Sequence, residues 1–180
     1  LAALRRAVRV VRGSEPFDSQ ETKDYLQSYY TRYYFPLLTH PKHIGDWPDF
    51  RVKFLRALSV NTLQEPPLLQ VHDFLVDVTY QAMILLIRGN YHPAVRCNAM
   101  LLLGQLNSQD ALLVGDKKRT AVPKIESLKV MLDELASPKQ IDGVRAAALA
   151  GILRHVEIDR QLADTPGGQR RLVGNAAENL

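Results

Sequence analysis

The sequence has little cysteine and no long hydrophobic run. Its 180 residues contain one cysteine, Cys97, which excludes an internal disulfide and a cysteine-based metal site. The longest uninterrupted apolar run, from Ala82 to Ile87, is far too short to cross a bilayer. The remaining composition, 46% hydrophobic and 23% charged residues, is typical of a soluble globular domain. We therefore expect no transmembrane segment and, by default, a cytoplasmic protein.

A broad charge imbalance is also missing. The formal net charge is +4, and residues 1–13 contain four arginines and no acidic residue. The other 19 basic residues of the chain balance its 19 acidic residues. The body of the protein is therefore neutral, which disfavours a broad phosphate-binding face.

Catalytic signatures are absent from the sequence. It contains no Gly-x-Ser-x-Gly elbow, phosphate loop or dinucleotide fingerprint, and Cys97 falls inside an expected helix as a packed thiol. His40 and His43 flank Pro41 in an expected loop without an acidic partner of clear geometry. The other three histidines, His72, His92 and His155, are scattered, the last two at expected helix ends. We expect neither an enzyme, nor a metal, nor a cofactor.

The chain opens without methionine on what reads as the middle of a helix. Leu1, Leu4, Val8 and Val11 share one face of residues 1–12, whereas Arg5, Arg9 and Arg12 share another. Residues 1–13 are thus expected to be the end of a truncated helix in a longer protein, with any signal peptide outside the sequence.

Capping signals and helical periodicity predict the next elements. Asp18 and Glu21 have the spacing of a capping box, opening a helix to about Phe35 whose inner face carries Leu26, Tyr29 or Tyr30, and Tyr33. Prolines and glycine make 36–48 an expected loop. From Asp49 a further helix has Phe50, Phe54 and Leu58 on one face.

The second half continues the helical pattern. The expected helices cover about 68–88, 93–106, 123–136 and 141–158, joined by a loop at 107–122 that is long for a compact helical domain. Their inner stripes are expected to include Leu68, Val71, Leu75, Val78, Ala82 and Leu85 in the first helix and Ile125, Leu128, Leu132 and Leu135 in the third. Residues 159–180 are expected to be a loop followed by the start of a helix or a tail. No strand-like alternation is evident, so we predict an all-α fold of about seven helices in antiparallel hairpins.

Two of these helices repeat one another. Residues 92–106 and 141–155 align at an offset of 49 residues, and each follows another amphipathic helix. The matching pairs are Val95 with Val144, Arg96 with Arg145, Ala99 with Ala148, Met100 with Leu149, and Leu103 with Ile152. A fixed period of this kind predicts stacked helix hairpins with a shared core.

The Val-Arg pair, the small residues after it and the Leu103-Gly104 pair resemble a HEAT repeat. The resemblance covers residues 68–157, within a helical-repeat domain of 14–158 whose clearest repeats are 68–106 and 123–157, and it implies an α-α superhelix. It also implies that the arginines hydrogen-bond the turn of a neighbouring repeat. The second copy departs from the family, since Leu153 stands where glycine is usual and Gly151 lies two positions early. Lys139 replaces an acidic or amide residue in the turn, which argues against a continuous polar ladder.

Three segments outside the repeat pair are candidate interaction surfaces. Tyrosines cover more than one side of the second helix, and aromatic residues left at a surface make good contact anchors. The arginine helix and a basic run in the 107–122 loop are the other two. The candidates are Tyr25, Tyr30, Tyr34, Trp47, Arg5, Arg9, Arg12, Lys117, Lys118 and Arg119. Ordinary burial of the tyrosines and plain solvation of the charges are the competing interpretations. For the arginine helix, attachment to an anionic membrane surface and contact with phosphates are two further alternatives.

The function favoured by this pattern is a non-catalytic scaffold that binds a protein partner, as a monomer or weak oligomer. An alternative is a HEAT-like nucleic-acid-binding protein of the alkyl-base DNA glycosylase kind, for which Trp47 beside Asp49 is the only hint and which the neutral body disfavours. A HEAT-like lyase is less favoured, since no residue pattern points to it.

Overall fold

The structure is a computed structural model that describes residues 2–63, 69–114, 117–164 and 172, without the side chains of residues 2–4, 60–63, 112–114, 117 and 118. Its elements are α1 (Ala2–Val11), α2 (Gln20–Ser28), a π-helical segment (Tyr29–Tyr34), α3 (Phe35–Thr39), a 3₁₀ helix (Pro41–Asp46), α4 (Trp47–Leu63), α5 (Leu69–Arg88), α6 (Pro93–Leu103), β1 (Asn107–Gln109), β2 (Leu112–Val114), β3 (Lys117–Arg119), β4 (Val122–Pro123), α7 (Ile125–Ala136) and α8 (Asp142–Ala163). The all-α prediction is confirmed. None of the helices in the described ranges is long and apolar enough to span a bilayer.

Some predictions fall where the structure gives no description. The inner positions predicted at Leu1, Leu4 and Leu68 are among them, as is the tail after Asp164 apart from Leu172.

The second helix begins one residue later than predicted. Its N-cap is Ser19, whose Oγ accepts a hydrogen bond from the Thr22 amide at 3.1 Å. The predicted capping box at Asp18 is therefore wrong, and Glu21 instead lies 3.5 Å from Arg6 Nη1. Serine competes well with aspartate at this position because both supply an oxygen to the orphan amides of the first turn.

The loop predicted over 36–48 is helical, so that prediction is wrong. The π-helical segment passes directly into α3, where Pro36 occupies the first turn, and α2, the segment and α3 form one continuous rod (residues 20–39). The Phe35 amide bonds to the Tyr30 carbonyl in the wider π pattern. Proline is tolerated after such a turn because it has no N–H that needs a carbonyl partner. The 3₁₀ helix then leads straight into α4.

The segment 107–122, predicted to lack strands, forms an antiparallel ribbon. β1 pairs with β4, and β2 pairs with β3. Side chains tie the ribbon together, since Ser108 Oγ donates to the Val122 carbonyl at 3.2 Å and Arg119 Nη2 donates to the Asp110 carbonyl at 3.0 Å. The strands are too short for alternation to stand out in the sequence.

The core of the second half lies where α6 packs on both α5 and α8, and α7 packs on α8. Val95, Ala99, Val144 and Ala148, which the sequence matches in pairs, are all buried. The predicted stripe of α5 is wrong at Leu85, which is 71% exposed.

The predicted inner face of α7 is only partly right. Leu128 and Leu135 pack against the core as predicted. Ile125 and Leu132 are exposed, and Val130 and Met131 are buried instead. Met131 is accommodated because Gly104 and Gly151 face each other beneath its sulfur. A Cβ atom at Gly104 would lie 3.0 Å from Gly151 Cα, and one at Gly151 would overlap Met131 Sδ. This packing explains why the second glycine lies two positions early.

Both Val-Arg arginines reach the end of the preceding helix. Arg96 Nε donates to the Ile87 carbonyl at 2.9 Å, and Arg145 Nε donates to the Leu135 carbonyl at 3.1 Å. Arg96 also donates to Gln140 Oε1, in the turn of the next hairpin, at 2.6 Å.

The expectation that Lys139 interrupts the polar ladder is wrong, because its neighbour Gln140 supplies the amide. Gln140 Nε2 donates to Glu134 Oε2 at 2.6 Å, and the other oxygen of Glu134 accepts from Arg88 Nε at 2.6 Å. The turn between α7 and α8 is thus joined to the end of α5.

Candidate binding groove

A groove of about 760 Å³ lies between α1, the π-helical segment and α4. Its floor is apolar and aromatic, and its rim carries three cationic side chains. The floor residues are Ala7, Val8, Val11, Tyr29, Tyr30, Tyr34, Phe54 and Ala57, and the rim residues are Arg12, Lys53 and Arg56.

Helix α1 forms one wall, and Arg6 holds it by contacts with the turn that follows α1 and with the rod. Arg6 Nε donates to Glu15 Oε1 at 2.7 Å, and the Arg6 guanidinium lies 4.5 Å from the centroid of the Tyr25 ring. The hydrogen bond to Arg6 also holds the pKa of Glu15 below its ordinary value. Ala7 and Val11, on the opposite side of the same helix, are buried.

The π-helical segment aligns the tyrosines of the floor. In an α-helix, residues five apart lie about 140° apart around the axis. The wider π turn brings Tyr29 and Tyr34 together instead, with ring planes 19° apart and centroids 5.8 Å apart. Single π turns occur frequently at functional sites.

The tyrosine rings are packed against other rings of the protein. Tyr34 meets Phe50 edge to face at 5.1 Å, and Tyr30 meets Phe54 edge to face at 5.8 Å. Burial raises the pKa of Tyr29 to about 12 and raises that of Tyr30 as well, so both phenols are neutral at physiological pH. Because the ring faces are already covered, the floor suits aliphatic side chains better than stacked bases.

The rim gives the groove a positive electrostatic potential. Arg12, Lys53 and Arg56 are exposed, and none of the described residues that line the groove is acidic. Asp49 Oδ2 lies 3.5 Å from Lys53 Nζ, but both side chains are about four-fifths exposed, so this contact is strongly screened by solvent. The groove is therefore complementary to an apolar ligand that also carries negative charge.

The structure brings together part of the predicted interaction surface. Arg12, Tyr30 and Tyr34 meet in the groove, although Tyr30 is buried in its floor and is not an exposed anchor. Tyr25 is half-buried. Arg5 and Arg9 are exposed on α1, and Arg9 lies 3.2 Å from Glu15.

Other predicted interaction residues are not among the described residues that line the groove. Trp47 is 0% exposed and donates to the Leu38 carbonyl at 3.0 Å, so its assignment to a surface is wrong. Lys117, Lys118 and Arg119 form strand β3; the side chains of the two lysines lie outside the description, and Arg119 is half-buried. Tyr33, predicted to face inward, is exposed.

Sequence reasoning missed the α4 side of the groove. Lys53, Arg56 and Ala57 carry no motif, and only the fold places them opposite the tyrosines. The crowded run Tyr29–Tyr34 was the one available signal, since no α-helix can bury so many rings on one side.

Sequence reasoning also missed a buried ion pair outside the groove. His72 Nε2 lies 3.3 Å from Asp110 Oδ2, and His72 Nδ1 lies 3.0 Å from Asp73. Burial alone lowers the pKa of His72, but its contacts with Asp110 and Asp73 outweigh burial and raise it. Burial alone likewise raises the pKa of Asp110, and His72 with Asn107 lowers it overall. The pair ties α5 to the β ribbon, and His72 is fully buried.

The remaining histidines make local contacts. His43 Nδ1 lies 2.8 Å from Asp46 Oδ2, so the expectation of no acidic partner is wrong, and His40 Nδ1 accepts from the Lys42 amide. His92 caps α6, whereas His155 is buried in the middle of α8 and not at a helix end. Among the residues described, no three His, Cys, Asp or Glu side chains are grouped to hold a metal.

Compared with protein-family models, with curated proteins and with solved structures, the chain gives no match.

Proposed function

We propose that this chain is a HEAT-like interaction module whose groove binds an acidic, amphipathic helix of a partner protein. The observation that carries the proposal is the combination of an aliphatic and aromatic floor with three rim cations. An amphipathic helix laid in such a groove buries apolar side chains at helical spacing and directs its flanking carboxylates to the rim.

The size of the groove supports an occupant larger than one side chain. About 760 Å³ lies within the range of about 300–1,000 Å³ common for binding sites that enclose a ligand. Two walls of the groove, α1 and α4, are helices, so several anchor residues of a partner fit along the groove. Rim charges would chiefly accelerate association, and the floor would supply most of the affinity.

The HEAT-like architecture is supported by the paired Val-Arg helices. In both copies the arginine bonds to the end of the preceding helix, and the small residues permit close packing of α6 on α8. Helical repeats of this kind present extended surfaces for partners.

The proposal is tested with a library of displayed random peptides selected on the full chain. We expect enriched peptides to carry apolar residues at i, i+3 or i+4 with flanking acids. Val8→Glu, in the groove floor, is expected to weaken their binding at least about tenfold, because it places a carboxylate in an apolar site. Val52→Glu is the matched control, since Val52 lies on α4, outside the groove and 66% exposed.

The rim is tested separately with Lys53→Glu and Arg56→Glu, with Lys129→Glu on α7 as a charge-matched control. The rim variants are expected to lower the association rate, and less so at high salt. Peptides that bind every variant equally would overturn the proposal. Binding of single-stranded oligonucleotides in preference to the peptides, with a steep salt dependence, would instead favour the nucleic-acid alternative.

A further inference from the structure

The outer face of α8 carries an apolar seam with coiled-coil spacing. Leu149, Leu153 and Val156 are 53%, 58% and 52% exposed, and they follow one another at intervals of four and three residues. Asp142 and Ala146 extend the same spacing towards the N-terminus, and Arg160 extends it towards the C-terminus; all three are exposed. Alternating steps of four and three are those of the a and d positions of a heptad repeat.

The seam lies on the side of α8 that points away from the core. The buried residues of α8, among them Val144, Ala148 and Gly151, pack against α6 and α7. Leu149 and Leu153 lie more than a quarter turn away from these three residues around the helix, and Val156 lies about 80° from Ala148. Leu172, the described residue beyond α8, lies elsewhere, because its amide donates to Asp159 on the buried side.

The corresponding face of α6 is covered by another helix, which shows that such a face can pack against a helix. Shifted back by the 49-residue offset, Leu149 corresponds to Met100 and Leu153 to Gly104. Met100 is 0% exposed, and Gly104 packs against Gly151 of α8. A helix therefore lies on this face in the first copy of the repeat.

The charges at the two ends of the seam indicate which helix covers it in the second copy. Asp142 and Arg160 are separated by 18 residues, about five turns, and so occupy the same angular position on α8. An antiparallel second α8 centred near residue 151 would place each Asp142 against the other copy's Arg160, and each Leu149 beside the other copy's Leu153. A parallel pair would oppose like charges at both ends.

We infer that the chain forms a two-fold symmetric dimer through antiparallel pairing of the α8 seams. The interface is isologous, as a two-fold axis requires, and it uses a surface separate from the binding groove. Burial of the hydrophobic side chains provides most of the free energy of association, and the end charges determine the relative orientation of the two helices.

Sedimentation equilibrium of the full chain over a range of protein concentrations tests this inference. A reversible monomer–dimer equilibrium is expected. Leu153→Glu is expected to weaken the dimer by at least about 100-fold, because two buried carboxylates are introduced at the centre of the interface. Leu85→Glu is the control, since Leu85 is an exposed leucine (71%) on α5, away from the seam. A wild-type chain that stays monomeric up to about millimolar concentration would overturn the inference.

A charge swap tests the orientation. Asp142→Arg alone and Arg160→Asp alone are each expected to weaken the dimer by about tenfold, since each creates two like-charge contacts. The double variant with both changes is expected to restore wild-type association. Pairing through this seam would be contradicted if the wild type dimerises and the charge swaps leave its association constant unchanged. It would also be contradicted if Leu153→Glu leaves the dimer intact while Leu85→Glu disrupts it.

Discussion

Helices α6 and α8 carry the same sequence pattern but have different surroundings. Val95 and Val144 are both buried, and so are Ala99 and Ala148. The next pair diverges, because Met100 is buried, near the point where Gly104 packs against Gly151 of α8, whereas Leu149 is exposed. Burial of the Val-Ala face is therefore determined within each hairpin, whereas burial of the Met100 face depends on the helix that follows.

The largest expected effect is the difference between Met100→Ala and Leu149→Ala. Met100 is fully enclosed, so its truncation is expected to lower the free energy of unfolding by about 2–5 kcal/mol. Leu149→Ala is expected to change it by less than about 1 kcal/mol at protein concentrations where the chain is monomeric. Urea denaturation followed by circular dichroism measures both, and equal losses would show that the two faces are equally covered.

The next largest effect on stability is expected at His155, which corresponds to Leu106 at the 49-residue offset. Both are buried, but burial, with a contribution from Arg154, lowers the pKa of His155 to about 4. Between the ordinary pKa of 6.5 and about 4, the unfolded chain binds a proton that the folded chain does not. His155 is therefore expected to reduce stability by up to about 3 kcal/mol as the pH falls through this window.

His155→Leu, which restores the residue of the first copy, is expected to remove that part of the acid sensitivity. The difference in unfolding free energy between wild type and variant, measured by urea denaturation at several pH values from 7 to 4, checks it. The His72–Asp110 pair is present in both proteins and cancels in the difference. A constant difference over this range would contradict the assignment of His155 as a buried neutral imidazole.

The contact between Gly104 and Gly151 is the third test. Gly151→Ala is expected to destabilise the protein by about 1–3 kcal/mol, because the added methyl group overlaps Met131 Sδ and presses on the Gly104 backbone. Gly45→Ala is the control, since nothing lies within 4 Å of a Cβ atom there. If the two variants melt at the same temperature, the stability of the fold does not depend on the close approach of α6 and α8.

The smallest effect expected is the difference in stability lost when each of the two Val-Arg arginines is truncated to alanine. Arg96 is half-buried and bonds to both Ile87 and Gln140, so Arg96→Ala is expected to cost about 1–3 kcal/mol. Arg145 is exposed and makes a hydrogen bond to Leu135 with a long contact to Asp142, so Arg145→Ala is expected to cost about 0.5 kcal/mol. Thermal melting measures both, and unchanged melting of both variants would show that neither arginine ties neighbouring hairpins.

The candidate groove was only partly predictable. The tyrosine and arginine helices were identified as candidate surfaces because of their composition. Tyr25 and Tyr30 could not be told apart from sequence, because an α-helical wheel does not apply where the backbone turns in the π form. Lys53 and Arg56 were not identified, because they lie on a helix whose position opposite α1 is a long-range property.

The helical class, the α5 to α8 hairpin order and the paired Val-Arg positions follow from local sequence, because helical periodicity, caps and breakers act within a few residues of one another. The choice of which apolar stripes are buried depends instead on long-range packing. Met131 replaces Leu132 in the core because two glycines from distant helices make room for it. Leu149 stays exposed because, unlike Met100, no described helix lies over it. Burial is a property of neighbours in space, and residues far apart in the sequence supply those neighbours.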